Sequence, residues 1–99
     1  MAEAPSYFFL KLIPCRPSFA FDMTAEEREI MQQHVAYWKT HMDEGKVVVY
    51  GPVMDPAGPY GIGVVESKHE DAIRAFIDRD PASRLNTYEF HPMRAVFPD

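Results

Sequence analysis

The run Ser6-Tyr7-Phe8-Phe9-Leu10-Lys11-Leu12-Ile13 is apolar on nearly both faces and stops at Pro14, which predicts an inner β-strand covered on two sides. From Cys15 to Met23 no period appears, and this stretch reads as an ordered loop, long for a small chain and a candidate pocket wall or lid. The period turns helical at Thr24. Met31, Val35, Trp38 and Met42 fall in one sector at about 100° per residue and form the predicted core stripe, with Ile30, His34, Tyr37 and His41 as its flank. Thr24 and Glu27 make a capping-box signature, the acidic first turn suits the positive helix end, and Gly45 supplies the left-handed residue beyond the other end.

Val47 to Val53 and Tyr60 to Val65 read as strands, joined as an antiparallel hairpin by the turn-forming Asp55-Pro56-Ala57-Gly58-Pro59. Gly61 and Gly63 leave one strand face bare, either for a ligand or backbone to approach or as a bulge or packing notch under Trp38. Ser67 and Glu70 give a second capping box, with Ala72, Ile73, Phe76 and Ile77 at helical spacing, and Asp80-Pro81 ends that helix and suits the start of one further turn. Leu85 to Phe97 is the last strand, and Pro92 places part of it at an edge, a bulge or a dimer boundary. The order βαββαβ with both helices on one face of an antiparallel sheet is a ferredoxin-like α+β fold. Its other face needs a cover, and the aromatic first strand argues for a second subunit, hence a homodimer.

The 99 residues suit one domain, and 46% hydrophobic and 13% aromatic content exclude disorder. A net charge of −5 without any Lys/Arg run argues against nucleic acid and anionic membranes as partners. No apolar run is long enough to span a bilayer, and the N-terminal Met1-Ala2-Glu3-Ala4-Pro5 has no export signal. The single Cys15 cannot form an internal disulfide, which suits a reducing cytoplasm.

Candidate chemistry centres on His34, on the shoulder of the first helix, and Asp55, just past the next strand. An imidazole titrates near neutrality, and a carboxylate beside it fixes its tautomer and tunes its basicity. Arg16, in the pocket-wall loop, could hold a carboxylate or phenolate oxygen by paired donors, and Tyr37 could present its hydroxyl to a ligand. The alternatives are a surface arginine and a core tyrosine. His41 lies two turns beyond His34, about 10 Å along the axis, so the two cannot share a metal ion. His91 reads as a polar pair with Glu89, and His69 as solvated. Cys15 beside Arg16 is either a thiol of lowered pKa or a strand-end cysteine. Phosphate-binding, dinucleotide and nucleophile-elbow motifs are missing, so nucleotide cofactors are not expected, and His–Asp proton transfer requires neither a metal nor an organic cofactor.

Phe8-Phe9-Leu10-Lys11-Leu12-Ile13-Pro14, His34 with Tyr37-Trp38, Gly45, Gly51-Pro52 with Asp55, Gly61, Gly63, Asp80-Pro81 and Phe90-His91-Pro92 together resemble the YCII-related family. The resemblance implies a ferredoxin-like chain paired into a dimeric α+β barrel, with an active site built on a histidine and an aspartate. By position His34 is that histidine and Asp55 the aspartate, with Asp22 as the other candidate for the acidic role. Family members occur near degradative and lyase-type chemistry. The expected function is therefore a small cytoplasmic enzyme of lyase or isomerase type, acting by His–Asp proton transfer on a cyclic or aromatic-derived metabolite. Arg16, Asp22 and Tyr37 would contact the substrate. The rival readings are a dimeric metabolite-binding module without catalysis and a cofactor-independent oxygenase of similar barrel type.

Overall fold

The computed structural model describes residues 6–98; the expectation for the N-terminal segment 1–5 lies outside them. The elements run β1 (Tyr7–Ile13), α1 (Phe19–Asp22), α2 (Ala25–Asp43), β2 (Val47–Val53), β3 (Tyr60–Glu66), α3 (Glu70–Arg79), a 3-10 turn (Pro81–Arg84) and β4 (Thr87–Met93). The four strands form one antiparallel sheet in the order β2-β3-β1-β4. This is the ferredoxin-like α+β fold that the alternation of periods predicts.

β1 lies between β3 and β4, and its burial alternates: Phe8, Leu10 and Leu12 are buried, whereas Tyr7, Phe9, Lys11 and Ile13 are half-buried. Phe8, Leu10 and Val65 meet Trp38 of α2 and Ile73 and Phe76 of α3, so both long helices cover the same sheet face. The other face carries Phe9 opposite Val64 and Val49, and Lys11 opposite Ile62. Among the described residues no helix covers that face, and only Phe97, edge-on to Tyr7, reaches its end of β1.

α2 starts as the sequence dictates. The Thr24 side chain accepts from the Glu27 amide and Glu27 reaches back to the Thr24 amide, while Gly45 adopts φ +83 beyond the C-terminus. The core stripe shifts, however. Trp38 is buried, but Val35 is 51% exposed, because this half of α2 overhangs a cavity instead of resting on the sheet.

Gly63 is the packing notch of the two alternatives: an added Cβ would lie 2.2 Å from Trp38 Cζ3. Gly61 has only ordinary contact with Leu12, at 3.5 Å, and lines the cavity.

Three boundaries differ from expectation. The segment after Pro14 contains α1, a helix of four residues held by buried Phe19, which is too short to leave a periodic signal. Ser67 does not cap α3: its hydroxyl bonds the backbone N–H and C=O of His69, and its own N–H donates to Ser6 O at 2.8 Å, so the helix begins at Glu70. β4 ends at Met93, opposite Tyr7, because β1 offers no further partner. Pro92 sits in this edge strand, where its missing donor costs nothing. Among the described residues no helix is long and apolar enough to cross a membrane.

Candidate active site

The site is organised by Asp80. It follows the last turn of α3 with extended backbone, and its Oδ1 accepts the Ala82 N–H at 2.9 Å, so it caps the 3-10 turn that Pro81 begins. Its side chain is completely buried. An isolated carboxylate there would take up a proton; this one is surrounded by donors. Trp38 Nε1 donates to Oδ2 at 2.8 Å, the Tyr88 hydroxyl donates to the same oxygen, and His34 Nδ1 lies 2.9 and 2.8 Å from Oδ1 and Oδ2. Burial pushes the Asp80 pKa up, but the hydrogen bonds from His34, Tyr88 and Ala82 and the His34 charge outweigh it, and the net shift is downward. Tyr88 moves the opposite way: burial, and then the adjacent Asp80 charge, push its hydroxyl further up, so it stays protonated and donates.

An ionised carboxylate only accepts, so the facing Nδ1 of His34 carries the proton. In the neutral ring Nε2 then holds a lone pair, and it makes no hydrogen bond among the described residues. His34 is one wall of a cavity of about 300 Å³ between α2, the loop bearing α1, and the sheet. Leu10, Leu12, Phe19, Met23, Met31, Pro52, Pro59 and Ile62 make most of the lining apolar, and Asn86 and Tyr88 bring polar atoms to it. The hairpin turn closes against the loop: Gly58, at φ +142, lies so near Pro17 that a Cβ would be 3.0 Å from its carbonyl oxygen. A base whose far nitrogen is anchored by a buried carboxylate, facing a largely apolar enclosure, can accept or return a proton on a bound small molecule.

Of the five residues singled out from sequence, only His34 lines this cavity. Asp55 is not its partner: Asp55 Oδ1 accepts the Ala57 N–H at 2.8 Å inside the hairpin turn. Asp22 does not take that place either, since it accepts from Arg16 Nε at 2.9 Å and Ser18 Oγ at 2.6 Å. Arg16 spends its donors within the chain, on Asp22 and in a two-pronged pair to Glu27 at 3.0 and 2.9 Å. These bonds hold the Glu27 carboxyl down at about 2 and tie the α1 loop to the cap of α2. The Tyr37 hydroxyl donates to Phe76 O at 2.6 Å; burial, followed by the Asp80 charge, raises it to about 12. His41 Nδ1 lies 2.9 Å from Tyr37 O, and no cluster of metal-ligating side chains occurs among the described residues.

Sequence reasoning assigned no site role to Asp80, Tyr88 or Asn86. One signal was available for Asp80. A carboxylate at the C-terminal end of α3 faces the negative end of that helix, an unfavourable position unless other groups hold it.

The YCII-related domain family matches residues 7–96 of this chain. No curated protein matches the sequence. Among solved structures the chain is similar to 5-chloro-2-hydroxyhydroquinone dehydrochlorinase (TftG) from Burkholderia phenoliruptrix AC1100, in complex with 2,5-dihydroxybenzoquinone. That match has a TM-score of 0.60 and 18% identity over 85% of this chain and 90% of that one. SnoaB, a cofactor-independent oxygenase from Streptomyces nogalater solved as a mutant, matches with a TM-score of 0.50 and 16% identity, covering 94% of this chain and 96% of that one. At such identities the two likenesses establish the shared fold.

Proposed function

The chain belongs to the YCII-related domain family, and on that premise we propose that it is an enzyme of lyase or isomerase type. It transfers a proton on a small, largely apolar cyclic molecule, with His34 Nε2 as the acid–base group. One observation carries this reading: Nδ1 is committed to a buried carboxylate, while the same imidazole borders the apolar cavity.

In the mechanism, the ligand enters against the apolar walls, which exclude water and leave Nε2 as the base. His34 removes a proton, and the resulting imidazolium is stabilised by Asp80, whose charge and orientation are fixed by Trp38, Tyr88 and Ala82. The proton returns to another atom of the ligand in an isomerisation, or the electron pair expels a leaving group in an elimination. The named activity of TftG, dehydrochlorination of a hydroxylated ring, supports the second course.

A homodimer fits this reading: a second copy packing on the sheet face that carries half-buried Phe9 and exposed Val49 would cover apolar side chains that the helices leave open. Sedimentation then gives twice the chain mass. The single cysteine suits a reducing cytoplasm.

The test is deuterium exchange followed by NMR, over a panel of hydroxylated aromatics and cyclic ketones. The protein accelerates exchange of ring or α-carbon protons in at least one member, and His34→Gln removes that acceleration while the fold is retained. Exchange that proceeds equally with His34→Gln would overturn the mechanism.

A further inference from the structure

Asn86 follows the 3-10 turn, is only 6% exposed, and lines the same cavity as His34. Its amide orientation is set by the backbone: Oδ1 accepts the Cys15 N–H at 3.1 Å, so the NH₂ end is the one turned away from the loop. Among the described residues that Nδ2 has one partner, Met31 Sδ at 3.6 Å. A thioether is a weak acceptor, so a nearly buried amide donor with two protons is left without a proper oxygen partner. Met31 is three residues before His34 on α2, a spacing that puts side chains on one face with Cβ atoms about 5–6 Å apart. Met31, His34 and Asn86 all line the one cavity, so the amide donor and the imidazole border the same space. The Tyr88 hydroxyl cannot take its part, since its one proton goes to Asp80.

We infer that Asn86 Nδ2 binds an oxygen of the ligand, and that the ligand is a phenol or cyclic enol whose oxygen gains negative charge when His34 takes the proton. This deepens the proton-transfer reading and rests on it. The step balances within the site: the O–H bond breaks, its proton goes to His34 Nε2, the electron pair remains on the ligand oxygen, and an Asn86 N–H bonds that oxygen. Reversal restores both partners. Such a donor acts as an oxyanion hole acts, strengthening as charge develops in surroundings poor in water.

The probes are 4-nitrophenol, whose phenolate is visible by absorbance, and 4-nitroanisole, a ring of similar shape with no proton to give. Asn86→Asp keeps the acceptor for the Cys15 N–H and removes the donor, and Asn86→Leu removes both. The native protein binds both probes and favours the phenolate of the first. Asn86→Asp weakens 4-nitrophenolate binding about tenfold or more, the loss of one charge-assisted hydrogen bond, and leaves 4-nitroanisole unchanged. Asn86→Leu, where it folds, gives the same selectivity, which separates donor loss from the charge that Asp introduces.

Asn86→Asp binding 4-nitrophenolate as well as native protein, or losing both probes equally, overturns the inference. His34→Gln tells the two ideas apart. A selective loss of phenolate with His34→Gln but not with Asn86→Asp keeps the histidine reading and removes Asn86. Native protein that binds neither probe removes both.

Discussion

The six-membered ring of Trp38 fills the space that a side chain on Gly63 would need, with Cζ3 2.2 Å from the position of a Cβ there. The sheet therefore fixes the indole, and the indole in turn presents Nε1 to Asp80 at 2.8 Å. Gly63→Ala must move Trp38, and such overpacking costs about 1–3 kcal/mol. The expected outcome is a lower denaturant midpoint together with altered Trp38 fluorescence and weakened proton exchange on the ligand, although Gly63 does not line the cavity. Unchanged fluorescence and stability would separate the sheet from the site.

Asp80→Asn preserves shape but removes the charge that fixes the His34 tautomer. Proton-transfer activity falls by about 10²–10⁴, the range for losing an oriented acid–base group. Asp80→Ala additionally strands the buried donors of Trp38, Tyr88 and Ala82 and costs about 3–5 kcal/mol. Asp55→Ala loses one turn hydrogen bond, about 1 kcal/mol, and keeps activity. Deuterium-exchange rates and urea midpoints for the three variants decide between the two aspartates as partner of His34.

Acid sensitivity follows from carboxylates held below their ordinary range. Glu27 moves from 4.5 unfolded to about 2 folded, chiefly through the Arg16 hydrogen bonds, so protonation favours the unfolded chain. Its contribution is complete above 4.5 and is lost as the pH falls toward 2. Asp80 is shifted the same way and adds to the loss below the usual carboxylate range. Melting temperature measured against pH declines through this window. The gap between native protein and Glu27→Gln, wide near neutrality, closes toward the acid end; a constant gap would contradict the assignment.

Much of the scaffold was legible along the chain because its signals are local. The cap at Thr24 and Glu27, the stop at Gly45, the turn after Asp55 and the strand alternation each depend on neighbours a few residues apart. Signals failed where a distant partner decided the outcome. Ser67 has a cap's sequence, but its pairing with Ser6 holds it in the sheet's register. Val35 has core spacing on α2, but a cavity lies beneath it.

The sequence by itself determined the order and handed alternation of elements, and from them the sheet topology, because periodicity and capping are written within single turns and strands. It also marked His34 as the group with chemistry near neutral pH. Only the tertiary structure chose that histidine's carboxylate. Asp55 is 21 residues away and bonds its own turn, whereas Asp80 is separated from His34 by 46 residues and meets it only after α2 and α3 dock on the same sheet face. Proximity in space between helices is set by packing, which no local pattern encodes; so is the burial that makes Asp80 gather four donors from three elements, α2, the 3-10 turn and β4.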